Sequence, residues 1–221
     1  MKCPRCRCAV QSGIEFCREC GFSAATLQAY LGGQWVRLER ITDAAHCLRL
    51  EAIRHLEVVL DDFERGFPQA FFAVYLGVLP NGLSVGELGF WLLNQGAFNT
   101  PQVAKRNDFG TILVLDPSTG AAAVTFGYAI EEYFTARNFA GVLKRARDQV
   151  RHQDPAGMVE TLVAGVSSIL RRQARLVRWV PDLTEGASIR VQPLKGGHRA
   201  TVKPTQALVS GMHSPHPFDG S

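Results

Sequence analysis

Four cysteines, Cys3, Cys6, Cys17 and Cys20, form two C-x-x-C pairs separated by ten residues at the start of this chain, and no other feature restricts its folding so tightly. Each tight C-x-x-C turn aims two thiolates at one point while its backbone N–H groups stabilise the sulfur charge. Two such turns supply the four tetrahedral corners that zinc requires. Gln11-Ser12-Gly13 lies between the pairs and reads as a turn that lets the two knuckles fold back on each other. Gly21 supplies the positive φ needed after the second knuckle. So short a ribbon has almost no core, and metal binding must supply most of its folding free energy. The expected ligands of a structural Zn²⁺ are therefore Cys3, Cys6, Cys17 and Cys20; a redox C-x-x-C pair or free thiols is the alternative.

Residues 3–21 resemble the short N-terminal zinc ribbons of many bacterial proteins, CPxCG…FCxxCG, and match them at Pro4 and Phe16. Arg7 stands where that pattern has its first glycine, and the neighbouring Cys8 is a surplus thiol able to compete with Cys6. Cys47 falls in a helical pattern and reads as a buried small hydrophobe. All six cysteines precede residue 48, a layout suited to metal in a reducing compartment rather than to a disulfide framework. Met1-Lys2-Cys3-Pro4 leads into the first pair with no apolar leader, so a cytoplasmic location is expected. The most apolar stretch, Ala70 to Leu93, is interrupted by Pro80-Asn81-Gly82 and contains Glu87, so no membrane span is expected.

The chain has 221 residues, 46% apolar and 20% charged, which excludes disordered and fibrous classes and allows one ordinary domain beside a small module. The expected organisation is a ribbon over 1–24, a connector over 25–41, an α/β domain over 42–180, and a basic tail over 181–221 whose lack of periodicity predicts disorder. Thr42-Asp43 reads as a helix start, because Ala45, Leu48, Ala52, Ile53, Leu56, Leu60 and Phe63 recur at helical spacing until Gly66 and Pro68. His46 and His55 would lie on its surface. Gln69 to Leu79 is an apolar run of strand length. Ser84 and Glu87 form a capping-box pair that opens a second helix through Leu93. Phe109–Leu115 and Ala121–Phe126 read as a hairpin around Asp116-Pro-Ser-Thr-Gly120. Arg137–His152 and Asp154–Trp179 read as helices, with Pro155 at the first helical position of the latter. A strand, a crossover helix and a further strand imply a parallel pair with a right-handed connection, extended by the hairpin. The fold class is α/β, a small mixed sheet packed by helices.

Asn107-Asp108-Phe109-Gly110 before one strand and Phe126-Gly127-Tyr128-Ala129-Ile130-Glu131 after the next resemble the TPM domain, whose pattern has an Asn/Asp-Gly turn, a hairpin and then Gly-Tyr-Gly-Leu-Glu. The resemblance covers about residues 45–175 and implies that fold. Family members include thylakoid-lumen proteins linked to photosystem II repair, for which phosphatase activity has been proposed, and bacterial proteins with calcium-binding loops. Hairpin geometry independently brings Asn107 and Asp108 near Glu131 and Glu132, a set of oxygen ligands for Ca²⁺ or Mg²⁺. Turn residues and first-turn helix acids account for the same four positions.

Three function classes follow. A non-catalytic accessory protein binding a protein partner is the preferred one. A divalent-metal-dependent phosphatase centred on Asp108 and Glu131 is the alternative, though no Cys-x5-Arg loop, Asp-x-Asp pair or histidine cluster supplies a nucleophile. Nucleic-acid binding is the third: residues 171–221 hold eight Lys or Arg against three acids, a surplus above the chain's total of +4. Arg171, Arg172, Arg175 and Arg178 would meet phosphates, although arginines at a helix end also complement its dipole.

Overall fold

Phe71-Phe72-Ala73-Val74-Tyr75-Leu76 is apolar on both faces, which only a strand covered from above and below can bury. That strand is an inner strand of the main sheet. The computed structural model describes residues 2–10, 14–99 and 107–178. In chain order they form α1 (Ala24–Leu31), β1 (Val36–Glu39), β2 (Ile41–Asp43), α2 (Leu50–Gly66), β3 (Phe71–Leu76), α3 (Val85–Gln95) and β4 (Gly96–Asn99). After one turn of 3-10 helix (Asn107–Phe109) come β5 (Gly110–Asp116), β6 (Ala121–Phe126), α4 (Tyr128–Glu131), α5 (Ala136–Arg151) and α6 (Pro155–Arg178). The tail over 181–221 lies outside the described residues, as does Trp179. No helix among those described is long and apolar enough to cross a membrane.

The main sheet has the order β2-β3-β5-β6. β3 runs parallel to β2 and β5, with Phe71 opposite Gly110, and β6 returns antiparallel, with Thr111 opposite Phe126. β1 and β4 form a separate parallel pair. Alternation along β3 and β5 divides the interior in two. Phe72, Val74, Leu76, Leu113 and Leu115 pack with α2, α5 and α6. Phe71, Ala73, Ile112 and Val114 pack with α3 and the cysteine segment. The crossovers β2-α2-β3 and β3-α3-β5 step the same way across the sheet, yet their helices lie on opposite faces. They are therefore of opposite hand, and only one obeys the right-handed rule.

The expected mixed sheet, parallel pair, hairpin and capping box are all present. The first long helix begins later than expected. Ile41–Asp43 is drawn into the sheet beside β3, and the helix opens at Leu50 behind Arg49, whose side chain makes no cap. Asp43 does cap N–H groups, but those of the loop residues Cys47 and Leu48. His46 is thus an exposed loop residue with φ 52° rather than a helical one, while His55 lies on α2 and meets Glu160 at 3.2 Å. Cys47 is likewise off the helix and half-buried, its thiol 3.5 Å from Asp43 Oδ1. Burial and that carboxylate push the thiol up to about 11.

Between β1 and β2, the buried Arg40 turns the chain from one sheet to the other. Its guanidinium meets Glu57, Asp61 and Glu64, spaced by about a turn each along α2, with Asp61 at 2.8 Å and Glu64 at 3.2 Å.

Candidate metal centre

Each C-x-x-C pair builds its own miniature hairpin. In the first, Cys3 N–H donates to the Cys8 carbonyl and Arg7 N–H to the Cys3 carbonyl, both at 2.9 Å, closed by a bridge between Lys2 and Ala9. The second repeats this: Cys17 N–H to Phe22 at 2.7 Å, Gly21 N–H to Cys17 at 2.8 Å, and a bridge between Phe16 and Ser23. The residue after each pair is left-handed, Gly21 at φ 70° and Arg7 at φ 63°. The second position suits glycine. The first holds an arginine in a conformation that costs a side chain about 1 kcal/mol, so the closing hydrogen bonds must outweigh it. The turn expected at residues 11–13 lies outside the described residues.

The hairpins bring Cys3, Cys6, Cys17 and Cys20 together, with all four sulfurs within 4.8 Å of one another. Cys3 Sγ lies 3.6 Å from Cys20 Sγ, and Cys6 Sγ 3.6 Å from Cys17 Sγ. A disulfide would hold sulfurs about 2.0 Å apart. Tetrahedral zinc–thiolate bonds of about 2.3 Å place them about 3.8 Å apart, so the cluster fits a metal ion such as zinc. Cys8 stays outside the group, exposed, and contributes only its carbonyl.

The electrostatics point the same way. Burial pushes the Cys17 thiol up, but N–H groups of Cys20 and Glu19 and the adjoining thiols outweigh it and bring it down to about 7. Cys20 is drawn down by the Phe22 N–H, yet burial and hydrogen bonds with Cys6, Cys3 and Cys17 push it up to about 12. Without a cation, one thiolate is stabilised at the expense of its neighbours; a divalent ion removes that conflict and lets all four ionise.

The ribbon is seated on α3. Arg5, inside the first knuckle, donates through Nε to Glu87 Oε1 at 2.7 Å, and its terminal nitrogen meets the same oxygen at 2.7 Å. Glu87 is buried and also accepts from the Ser84 N–H and hydroxyl at 3.0 and 2.8 Å. Burial alone would raise its pKa, but Ser84 and Arg5 hold it below the usual carboxylate value. At the preceding residue, a Cβ on Gly86 would lie 2.6 Å from the Pro4 carbonyl, so the knuckle backbone rests directly on the helix. Phe22 meets Phe90 edge-on at 5.8 Å while Arg5 lies 5.7 Å above the Phe22 ring. Trp91 Nε1 donates to the Gly32 carbonyl at 2.9 Å, anchoring the segment after α1. None of these long-range contacts had a local sequence signal; Glu87 is legible only as half of a capping box.

At the other proposed site, Gly127 N–H donates to the Gly110 carbonyl at 2.8 Å, holding the 3-10 turn of Asn107 and Asp108 beside α4. Asp108 and Glu132 are exposed and Glu131 is half-buried. Among the described residues, only the four thiols form a group of three or more His, Cys, Asp or Glu side chains close enough to share an ion. Asp116 belongs to the far end of the hairpin, where it accepts from Ser118 N–H and Oγ and from Leu79 N–H. Arg171, Arg172 and Arg175 are exposed along a groove that also contains Asp62 and Glu160, so its charge is mixed.

Fold and site together define a mixed α/β protein with a four-cysteine cluster, able to hold a metal ion, packed on one helix. No protein-family model matches the chain, and no curated protein matches it. Among solved structures it is similar to the N-terminal domain of the cg2496 protein of Corynebacterium glutamicum, at 17% identity and TM-score 0.46 over 59% of this chain and 78% of that one. It is also similar to the BA42 protein of Bizionia argentinensis, at 10% identity and TM-score 0.48 over 57% and 82%. The N-terminal domain of a protein from P. gingivalis shows 17% identity and TM-score 0.46 over 62% and 84%.

Proposed function

We propose that this chain is a non-catalytic cytoplasmic accessory protein, in which a zinc ribbon over 1–24 and a TPM-like α/β domain over 42–180, joined by 25–41, form one surface for a protein partner. The observation that supports the reading is the closed thiol set. Four cysteines fill every tetrahedral position, and a catalytic zinc site keeps one open for water or substrate. The ion holds the knuckles, and the knuckles hold α3 through Arg5 and Glu87. Reduced thiols at this density fit a reducing compartment. The TPM assignment rests on Asn107–Asp116 and Phe126–Glu131.

Metal analysis of reduced protein purified without chelator is expected to find about one zinc per chain; recovering none refutes the ribbon. The same sample is expected to leave a generic aryl phosphate intact in the presence of Mg²⁺ or Ca²⁺. Metal-dependent hydrolysis that disappears in Asp108→Ala would replace the accessory reading with the phosphatase centred on Asp108 and Glu131.

A further inference from the structure

β6 is an edge strand. Its sole described neighbour is β5, and among the described residues no strand pairs with its outer side. The bond from Gly127 N–H to the Gly110 carbonyl fixes the phase of the ladder. Alternate residues then bond inward at Ala121, Ala123 and Thr125, while Ala122, Val124 and Phe126 turn their N–H and C=O groups outward. Natural edge strands are commonly blunted by proline, inward-pointing charge or a covering loop. β6 reads Ala-Ala-Ala-Val-Thr-Phe and has neither proline nor charge.

A groove of about 850 Å³ runs along this edge. Lys2, Pro4, Arg7 and Phe90 of the first knuckle and α3 line one side, and Leu143 and Arg147 of α5 line the other. Six residues of extended chain span about 20 Å, the length of β6. The small side chains of Ala121 and Ala122 leave the backbone open to approach. Lys2, Arg7 and Arg147 are exposed, and none pairs with a carboxylate among the described residues. Glu131 is the single acid in the lining. Of the thiols behind Lys2 and Arg7, Cys3 and Cys17 are buried and Cys6 and Cys20 half-buried, whereas Lys2 and Arg7 are exposed and supply the charge that this wall presents to solvent.

From this geometry we infer that β6 is a docking edge for an extended, acidic peptide segment of a protein partner, added as a fifth strand between the knuckle and α5. The inference rests on the accessory reading and names its binding surface. Main-chain bonds to Ala122, Val124 and Phe126 supply affinity, and acidic side chains facing Lys2, Arg7 and Arg147 supply selectivity. A second copy of the chain is a poorer occupant, because pairing two β6 edges would bring both sets of basic residues together.

The test uses full-length zinc-loaded protein and a capped octapeptide of alternating aspartate and valine, followed by amide NMR. Saturable shifts at Ala122, Val124 and Phe126 are expected, with binding weakened about fivefold or more when lysine replaces aspartate and abolished when alternate peptide nitrogens are methylated. Ala122→Pro removes one outward N–H without breaking the β5 ladder and should abolish binding. Should that variant misfold, Arg147→Glu must weaken binding about fivefold at unchanged melting temperature. Equal binding of the lysine peptide, shifts confined to another surface, insensitivity to both variants, or concentration-dependent dimerisation through β6 would each overturn the proposal. Such a failure in protein that still carries zinc and hydrolyses no phosphate ester leaves the accessory reading standing.

Discussion

Replacing Glu87 with methionine, which is of similar length but has no oxygen to accept from Ser84 or Arg5, should cost about twice as much in zinc-loaded protein as in zinc-free protein. The carboxylate has two jobs. It completes the capping box with Ser84, where a lost cap costs about 1 kcal/mol. It also holds Arg5 of the knuckle; hydrogen bonds to charged groups contribute about 1.5–3 kcal/mol when shielded. The Arg5 side chain is 47% exposed, however, so solvent screening reduces that pair to about 1 kcal/mol. With metal bound the two add to about 2 kcal/mol, a fall in melting temperature of about 4–8 °C for a chain of this size. Without metal the knuckle loses its fold and Arg5 its position, leaving the cap alone at about 1 kcal/mol. Urea unfolding of wild type, Glu87→Met, Arg5→Met and the double variant, each with zinc and after chelation under reducing conditions, measures both terms. A coupling of about 1 kcal/mol between the two positions is expected only with metal. Equal cost in both states, or no coupling in the loaded protein, would refute the claim that this pair joins the metal centre to α3.

Gly86→Ala should show effects of opposite sign: a better helix former steadies zinc-free protein by up to about 1 kcal/mol, while the new methyl, 2.6 Å from the Pro4 carbonyl, lifts the knuckle and speeds zinc transfer to a chromogenic chelator. An unchanged transfer rate would refute the close packing. Arg40→Met leaves Glu57, Asp61 and Glu64 without their shared cation; because Glu57 and Asp61 are 37% and 46% exposed, about 2–3 kcal/mol is expected rather than the full cost of a broken buried pair. Lysine should not restore it, since an ammonium cannot span three carboxylates as a guanidinium does, and the urea midpoint should fall at constant slope. Asp116 is held below its ordinary 3.8 chiefly by the Ser118 hydroxyl and by N–H groups of Ser118, Leu79 and Thr119, against the opposing effect of burial. A depressed folded pKa gives stability that is complete above 3.8 and lost as pH falls through the folded value. The stability gap between wild type and Asp116→Asn should therefore narrow below that pH, and a constant gap would show that ionisation is not its source.

What was legible before the structure was local chemistry. Ser84 and Glu87 announce a helix start because the capping box is complete within four residues. Asp116-Pro-Ser-Thr-Gly120 announces a hairpin, and two C-x-x-C pairs announce one centre. Ile41-Thr42-Asp43 misleads for an equally physical reason: a carboxylate that caps a loop has the same one-letter signature as one that caps a helix, and only pairing with β3 separates them. β1 and β4 have four residues each, too short for a period to register, and they find each other across sixty positions. The opposite hands of the two crossovers have no residue-level signature, because helix and strand patterns do not specify which face a helix will cover.

The placement of the ribbon follows from the sheet's asymmetry. One face is covered by α2, α5 and α6 together, the other by α3 and whatever can be packed beside it. One helix of eleven residues cannot shield Phe71, Ala73, Ile112 and Val114 together with its own Trp91 and Leu92. Phe22 and Leu27 complete that cover, and the buried Cys3 and Cys17 lie in the same apolar cluster as Ile112 and Val114. The ribbon has no core of its own because it shares this one. Zinc that binds only the folded knuckles stabilises them by mass action, by about 2.7 kcal/mol at one hundred times its dissociation constant. Since the knuckles share their apolar contacts with α3, part of that free energy would be returned to the sheet, and loss of the ion should expose Leu88 and Trp91 as well as the thiols. A metal ion held by the four thiols would therefore act as a removable part of the hydrophobic core, and unfolding of zinc-loaded protein should proceed as one transition rather than as ribbon first and domain later.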